Sequence, residues 1–382
     1  MYARNSDNGA SLEAAGVAAQ PAVDRVVLNH HAFRRLISLE RKRSERSRKP
    51  FLLMLLNMGE SLPSEKSAKS LGEILDTLSR AVRETDTTGW YEDHSTVGVM
   101  FTEIGHDEAS TSLNTLTSRV TETLRSSLTV EQFNHIRVSF HIYPEDWEQN
   151  DRQPPSNPRL YPDLMQREEA RKTSRAIKRA MDIAGSLAAL AVLSPVFLIV
   201  AIAVKLTSKG PVFFRQRRVG QYGVAFSLLK FRSMYDGNHS HVHREYMRRL
   251  IAGVAEKHPS DSDDGGVYKL TGDSRITAVG ALLRRTSLDE LPQFINVLKG
   301  EMSLVGPRPP IDYEVERYEL WHRRRLIEAK PGITGLWQVT GRNRIAFDDM
   351  VRLDLRYAQL WSPWVDLKIL LRTPKAVIEG AH

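Results

Sequence analysis

The chain of 382 residues contains no cysteine. Disulfide bonds, thiolate nucleophiles and cysteine-ligated metal sites are therefore excluded, and the composition suits a reducing compartment. The first residues also lack the pattern of a secretory signal, in which basic residues precede an apolar run. We expect residues 1–22 to form a disordered tail.

Acidic residues are fewer than basic ones. The formal net charge is +8 and the pI is about 9.6, which indicates an anionic partner: nucleic acid, a phosphate substrate or a lipid surface. The basic residues cluster around an apolar segment, and the chain carries no nucleic-acid-binding motif. We therefore expect no nucleic-acid partner.

Charge is missing altogether from residues 183–204, which are 22 positions and long enough to span a bilayer as a helix. Ser194 and Pro195 lie in the middle, and the proline should bend or break the helix there. Basic residues flank both ends, whereas a spanning helix carries its excess on one side. The residues alone leave open a re-entrant hairpin, a kinked spanning helix and a buried helix of a soluble domain.

Residues 23–147 alternate between helical and strand patterns, as a soluble α/β domain does. An amphipathic basic stretch at 31–48 comes first. The expected elements that follow are, in order, a strand at 51–56, a helix at 67–84, a hairpin with its polar turn at 92–95, a helix at 109–128 and a strand at 136–142. This order resembles the diguanylate cyclase (GGDEF) family and implies a nucleotide-cyclase-like α/β sandwich.

The hairpin turn departs from that family. The Gly-Gly-Asp-Glu-Phe turn of the family is replaced by Glu-Asp-His-Ser-Thr at 92–96. Without the glycines the backbone cannot approach a guanine nucleotide closely, and the acidic metal-binding pair is not in place. We expect a degenerate domain without cyclase activity that serves packing or dimerisation, with regulatory nucleotide binding as the alternative. Four prolines then predict an extended, semi-rigid linker over 148–170.

The segment 284–309, RRTSLDELPQFINVLKGEMSLVGPRP, concentrates side chains suited to phosphate chemistry. Asp289 and Glu290 are adjacent carboxylates at an expected helix start, and Arg284 and Arg308 lie before and after them. Arginine forks match phosphate oxygens. Ser287 and Glu290 also fit a capping box, in which Ser287 caps the helix and Glu290 reaches back. The two interpretations are compatible, because a helix N-terminus also suits a phosphate.

Further motifs surround this segment: GPVFFRQRRVG at 210–220, KFRSM at 230–234, GPRP at 306–309 and KPGITG at 330–335. Together and in this order they resemble the bacterial sugar transferase family, the monotopic phosphoglycosyl transferases. The resemblance covers about residues 178–382. It implies an α-rich, membrane-associated domain over 171–382 with a re-entrant membrane helix over about 180–206, broken at Ser194-Pro195.

The resemblance also implies a reaction. Such enzymes move a sugar-1-phosphate from a nucleotide diphosphate sugar, expected to be a UDP-sugar, to polyprenyl (undecaprenyl) phosphate, and the nucleoside monophosphate leaves. Asp289 matches the nucleophile and Glu290 its partner, and Mg²⁺ is the expected cofactor with Asp289 as a ligand. The residues expected to bind substrate phosphate are Arg284, Arg308 and Lys230. Those expected to position the membrane helix are Lys178, Arg179 and Asp182.

The expected partners are therefore a nucleotide-sugar donor, a polyprenyl phosphate acceptor and membrane lipid, and a homodimer is possible. The expected location is the cytoplasmic face of the bacterial inner membrane, as a monotopic enzyme that initiates an exopolysaccharide or another surface glycan. The alternative function is a catalytically silent membrane receptor regulated by a nucleotide at the cyclase-like domain.

Three smaller features complete the expectations. Residues 348–371 predict an amphipathic helix that is broken near Pro363. The tryptophans that could lie either at the lipid interface or in the core are Trp337, Trp361 and Trp364. The clustered histidines, which we interpret as part of a mobile loop rather than a metal site, are His239, His241 and His243.

Overall fold

The structure, a computed structural model, describes only part of the chain. The described residues are 27–58, 72–76, 78, 82–83, 85–93, 95–102, 104, 118, 122, 125, 136–145, 157–235, 241–257, 268, 275–341 and 344–379. The expected tail at 1–22 and most of the helix expected at 109–128 lie outside them. Positions 118, 122 and 125 of that helix are described and are helical.

The N-terminal part is an antiparallel sheet with helices packed on it, with strand order β2-β3-β1-β4. Its elements are helix α1 (His30–Ser47) and strands β1 (Phe51–Met58), β2 (Thr87–Glu92), β3 (Thr96–Phe101) and β4 (Ile136–Tyr143). The expected strand at 51–56 and the expected hairpin are both confirmed. Positions 72–76 and 78 of the helix expected at 67–84 are helical.

The central strand β1 is buried on both faces, which explains its continuous apolar run. Leu52 and Met54 share one apolar cluster with the helical residue Leu75. Leu53 belongs to a second cluster with Phe33 of α1. Successive side chains of a strand point to opposite faces, so these two clusters place a helix on each side of the sheet.

The extended linker expected at 148–170 is wrong over its described part. Residues Pro158–Leu160 form a 3₁₀ turn, and helix α2 spans Pro162–Ala170. The proline at the start of each element lies in the first turn, where its missing N–H costs no helical hydrogen bond. Leu160 is fully buried in the cluster that contains α1, so the segment is packed rather than extended.

The apolar segment forms two helices, α3 (Lys172–Val192) and α4 (Ser194–Thr207), which are bent by 64°. The break falls where Ser194 and Pro195 predict it, because the proline lies in the first turn of α4. The Ser194 hydroxyl donates to the carbonyl of Ala191 at 2.8 Å. Among the described residues no single helix is long and apolar enough to cross a membrane, but this bent pair meets both criteria together.

The rest of the C-terminal part is mainly helical, with one antiparallel hairpin (β5–β6) and one short parallel pair (β7–β8). Its elements are β5 (Phe213–Val219), β6 (Ala225–Phe231), α5 (His241–Ile251), α6 (Ala278–Thr286), α7 (Gln293–Lys299), β7 (Ser303–Val305), α8 (Asp312–Val315), α9 (Leu320–Glu328), β8 (Gly332–Thr334), α10 (Leu336–Thr340), α11 (Phe347–Leu360) and α12 (Pro363–Glu379). The helix break expected near Pro363 is confirmed, because α11 ends at Leu360 and α12 begins at that proline.

The mobile loop expected around the clustered histidines is wrong from residue 241 onward, where α5 begins. Met247 and Leu250, three residues apart on one face of α5, are buried in an apolar cluster with Val351. His243 Nδ1 lies 2.5 Å from the Tyr313 hydroxyl. This packing holds the helix in place, and His239 lies outside the described residues.

The tryptophans divide between core and surface. Trp337 is buried, whereas 61% of Trp364 is exposed. The indole N–H of Trp361 donates to Asp366 Oδ2 at 3.1 Å. Trp337 therefore belongs to the core, and Trp364 is the exposed one of the three tryptophans.

The N-terminal and C-terminal parts share a core. Ile327 of α9 is buried in the same apolar cluster as Leu160 and the residues of α1. Arg324, also on α9, lies 3.8 Å from Glu45 of α1. The C-terminal part is thus packed against both α1 and the segment that precedes α2.

Candidate active site

Asp289 and Glu290 lie on a 3₁₀ turn, Leu288–Glu290, between α6 and α7. Ser287 has a left-handed backbone conformation (φ 57°, ψ 19°), and its N–H bonds to the carbonyls that end α6. Its side chain makes no capping hydrogen bond to the turn. The capping box expected for Ser287 and Glu290 is therefore wrong, because the backbone of Ser287 ends α6 and its side chain does not cap the turn that follows.

The carboxylate of Glu290 is held by a lysine from the β5–β6 hairpin. Lys230 Nζ lies 2.8 Å from Glu290 Oε1. Lys230 is about one quarter exposed and Glu290 about one third exposed. The structure thus brings together three residues that the sequence singles out, namely Lys230, Asp289 and Glu290.

The Asp289 carboxyl is buried beside this pair. Burial raises its pKa to about 6; the charge of Lys230 opposes the rise, Glu290 adds to it and Arg284 opposes it. The group is still mainly ionised near neutral pH, but it is poorly solvated. A carboxylate in this state is suited to nucleophilic attack.

The arginine of the Gly-Pro-Arg-Pro motif is fixed by its own environment. Arg308 Nη1 lies 3.4 Å from Glu314 Oε2, and Glu314 is fully buried. The carbonyl of Arg308 accepts a hydrogen bond from Arg325 Nη2 at 3.1 Å. Burial lowers the pKa of Arg308, but the negative charges of Glu314 and Glu290 more than offset it, so the pKa is raised.

Arg218, which unlike Arg308 is buried, lies near that arginine. Its Nη1 donates to the carbonyl of Pro309 at 2.8 Å. Burial and the charge of Arg308 lower its pKa to about 10, and Glu314 and Glu290 oppose this shift. The positive charges of Arg218 and Arg308 are thus balanced by few carboxylates. Their surroundings therefore favour the binding of a further anion such as phosphate.

Strand pairing brings two of the motifs together. Ser303 of β7 is paired with Gly332 of β8, and the N–H of Gly306 donates to the carbonyl of Thr334 at 2.8 Å. A Cβ atom on Gly306 would lie 2.1 Å from the carbonyl oxygen of Lys330. Only glycine allows this approach, and it sets the position from which Arg308 extends.

The three residues expected to position the membrane helix lie at the other end of α7. Lys178 Nζ lies 2.6 Å from Asp366 Oδ2. Arg179 donates to the last carbonyls of α7, those of Val297 and Leu298, at 2.6 and 2.7 Å. Asp182 Oδ1 accepts from the Ser303 hydroxyl and the Leu304 N–H, both at 2.9 Å. These contacts tie α3 to α7, β7 and α12, away from Asp289.

A family model described as "Bacterial sugar transferase" matches residues 173–380. The chain belongs to the bacterial sugar transferase family. The match starts within α3 and ends one residue beyond α12, so it includes most of the bent helix pair and the turn that carries Asp289 and Glu290.

Curated relatives of this sugar transferase carry related names. The galactosyl transferase CpsE of Streptococcus agalactiae is 44% identical over 204 residues, which are 53% of this chain and 42% of that protein. The undecaprenyl-phosphate galactose phosphotransferase of Salmonella typhimurium is 43% identical over 216 residues, 56% of this chain and 43% of that protein. The exopolysaccharide production protein ExoY of Sinorhizobium fredii is 40% identical over 200 residues, 52% of this chain and 84% of that protein. The chain thus spans less than half the length of the first two relatives.

Part of the chain resembles solved structures, among them the crystal structure of a DGC protein from Thermotoga maritima, with 21% identity and a TM-score of 0.27 over 32% of this chain and 85% of that chain. A TM-score of 0.27 does not establish a shared fold. The resemblance of residues 23–147 to diguanylate cyclases therefore stays a prediction.

Sequence reasoning missed two members of the site. These are Arg218, which is one of several basic residues that follow the apolar segment, and Glu314. Arg218 follows two other basic residues of the hairpin, a pattern typical of exposed strands, and only its contact with Pro309 shows its burial. The one sequence signal that pointed to Arg218 as a site residue was its position within the GPVFFRQRRVG motif.

Proposed function

We propose that the chain is an enzyme that transfers a sugar-1-phosphate from a UDP-sugar to a polyprenyl phosphate such as undecaprenyl phosphate. The observation that carries the proposal is the buried Asp289 carboxyl, with a pKa of about 6, beside the Lys230–Glu290 ion pair. Membership of the bacterial sugar transferase family and the name of the Salmonella relative support the same reaction.

The reaction proceeds in two displacements. In the first, an oxygen of Asp289 attacks the phosphorus that carries the sugar, and the bond from that phosphorus to UMP breaks. UMP leaves with the electron pair, and an acyl phosphate remains on Asp289. In the second, an oxygen of polyprenyl phosphate attacks the same phosphorus, the lipid-linked diphosphate sugar forms, and the Asp289 carboxylate is released. Such a covalent intermediate leads to ping-pong kinetics.

Basic side chains around Asp289 stabilise the charge that develops during both displacements. Lys230 and Arg284 already lower the pKa of Asp289 through their charge, so both are near enough to act on a phosphate at that position. Arg308 offers a guanidinium fork held by Glu314. Fixed positive groups that point to developing negative charge usually give the largest contribution to catalysis. Glu290 holds Lys230 in place through their ion pair.

Magnesium is the proposed cofactor. Within the described ranges no group of three or more histidine, aspartate or glutamate side chains could hold a metal ion. Mg²⁺ is often bound by only one or two carboxylates together with substrate phosphates, and Asp289 with Glu290 fits that donor set. When bound, Mg²⁺ would neutralise charge on the diphosphate.

The bent pair α3–α4 is proposed to enter one leaflet and return, with its break in the membrane. Exposed apolar side chains on both helices support this, among them Val192 at the end of α3 and Leu198 on α4. Arg171 and Lys205 lie at the two outer ends of the pair, which would both face the same side. The enzyme would then work on the cytoplasmic face of a bacterial inner membrane. There it would start the assembly of an exopolysaccharide or another surface glycan. The N-terminal part would be available for contacts in a homodimer.

The test is UMP release by the purified full chain in detergent with Mg²⁺, undecaprenyl phosphate and a panel of UDP-sugars. We expect UMP from one donor and none with Asp289→Asn, which keeps the size of the side chain. Undiminished release by Asp289→Asn would contradict the assigned nucleophile. The absence of release from every donor, together with nucleotide binding to residues 23–147, would favour the silent receptor.

A further inference from the structure

A polar cavity lies at the far end of α7 from Asp289 and Glu290. Its volume is about 330 Å³, and it is enclosed by α2, the start of α3, the end of α9 and the end of α11. None of the residues placed in the reaction, all of them described, lines it. Its charged lining residues are Arg167, Arg171, Arg175, Lys178, Arg179, Lys330, Glu168, Asp182 and Glu328. Six basic and three acidic groups give the lining a formal charge of +3.

The acidic lining residues neutralise little of this charge. Glu168 pairs with Arg175. Asp182 is engaged by the Ser303 hydroxyl and the Leu304 N–H. Glu328 pairs with Arg324, which does not line the cavity. Two of the three carboxylates are therefore used by groups other than the lining cations. Among the cations, Lys178 is already paired with Asp366, which does not line the cavity.

Three lining cations are held by backbone carbonyls, which orient them without cancelling their charge. Arg171 donates to the carbonyls of Ala358 and Gln359 at 3.4 and 3.1 Å. Arg179 donates to the last carbonyls of α7. Lys330 Nζ donates to the carbonyl of Gly300 at 2.9 Å. Each cation keeps further N–H donors for a ligand.

The pKa of Lys330 also indicates an excess of positive charge among the lining residues. Burial lowers the pKa of Lys330, and the charge of Arg179 lowers it further, with smaller effects from Arg175 and Lys178; Asp182 opposes them. A lysine destabilised by neighbouring cations gains from any anion that enters the cavity.

The cavity also has a flat apolar wall. Arg171 Cζ lies 6.0 Å and Lys178 Nζ 5.9 Å from the centre of the Trp361 ring. The volume falls at the lower end of the range typical of small-molecule sites. It can hold a phosphate together with part of the group that carries it.

We propose that this cavity binds a phosphate-bearing anion at a site distinct from the reaction site. The ligand would join α2, which is packed on the N-terminal part through Leu160 and Tyr161, to the start of α3. Two sources share this chemistry: the headgroup of an anionic lipid, since α3 leads into the apolar segment, and a soluble phosphate compound. Occupancy would fix the N-terminal part relative to the membrane helix in either case.

The test is calorimetric titration of the full chain in a neutral detergent, so that it depends on no activity. Inorganic pyrophosphate serves as the soluble probe. Mixed micelles that contain phosphatidylglycerol serve as the lipid probe, with phosphatidylcholine as their neutral reference. We expect at least one anionic probe to bind. Binding of only one probe identifies the source, and binding of both shows that the cavity recognises the phosphate that the two share.

Variants locate the binding. Arg171→Gln and Lys330→Gln should each weaken it at least tenfold. Lys172→Gln removes the same charge from the neighbouring exposed position, outside the lining, and should change it less than twofold. Gln221→Glu adds a negative charge to the lining and should weaken binding even if an arginine variant folds poorly. Arg308→Gln should leave this binding intact, because its site lies at the other end of α7.

Three results would overturn the proposal. The first is that neither probe binds. The second is equal weakening by Lys172→Gln, which would indicate unspecific attraction to basic residues. The third is loss of binding in Arg308→Gln with no change in Gln221→Glu, which would assign the bound probe to the reaction site instead.

Discussion

Lys230 Nζ lies 2.8 Å from Glu290 Oε1, although the two residues are 60 positions apart in the sequence. The pair joins the β5–β6 hairpin to the turn between α6 and α7. It also places a positive charge close enough to Asp289 to lower the pKa of that carboxyl against the effect of burial. The position of the hairpin therefore controls the charge around the proposed nucleophile.

Lys230→Gln should lower kcat about 100-fold, because a fixed positive group that stabilises the transition state is lost. Lys230→Arg should retain more activity, since a guanidinium can still pair with Glu290. Steady-state UMP release measures both effects. Lys299→Gln, at an exposed lysine on α7, is the control and should match the wild type. Equal rates for Lys230→Gln and the control would show that the pair has no part in catalysis.

Arg308→Gln should reduce both stability and activity, for different reasons. Stability falls because the buried Glu314 carboxylate loses its partner, at a cost of about 1–3 kcal/mol given that Arg308 is partly exposed. Activity falls about 100-fold because a phosphate contact is removed.

The double variant Arg308→Gln with Glu314→Gln separates these effects. Its melting temperature should return toward that of the wild type, because no unpaired charge remains buried. Its activity should stay low. Recovery of activity together with stability would mean that Arg308 acts only through folding.

Asp182→Ala should lower the free energy of unfolding by about 2–4 kcal/mol, because the carboxylate accepts two hydrogen bonds where it is buried. Asp182→Asn keeps an acceptor oxygen and should cost less. Thermal unfolding in detergent compares the two variants. If both unfold at the wild-type temperature, these contacts do not hold α3 against β7.

His243 should make stability fall in acid. Burial lowers its pKa from 6.5 to about 4, with the charge of Glu314 opposing and that of Arg308 adding. The unfolded chain therefore takes up a proton at a higher pH than the folded one, so the stabilising contribution is complete above about pH 6.5 and is lost as the pH falls toward 4. The melting temperature of His243→Gln should depend less on pH over this range, whereas His31→Gln, at an exposed position, should follow the wild type.

Much of this architecture could be predicted from local patterns. The apolar run of β1, the break at Pro195 and the break before Pro363 follow from rules that involve neighbouring residues only. The family resemblance implied that one site contains Lys230, Asp289 and Glu290. No local rule could have placed residues 60 positions apart within 3 Å of one another.

The wrong predictions also have physical reasons, because they rested on local patterns and residue types. The prolines of the linker favoured an extended chain, but Pro158 and Pro162 each start a helical turn once Leu160 is buried against α1. Ser287 suited a cap by residue type, but its left-handed backbone ends α6. Arg218 looked like a surface charge, because only a tertiary contact with Pro309 buries it.

The covalent intermediate on Asp289 is the central claim, and mass spectrometry tests it most directly. The full chain is incubated with Mg²⁺ and the accepted UDP-sugar but without the lipid acceptor, then digested with trypsin. We predict the added mass of a sugar phosphate on peptide 286–299, assigned to Asp289 by fragmentation and removed by undecaprenyl phosphate. UMP release without any adduct on this peptide, or an adduct that the acceptor does not remove, would contradict the account.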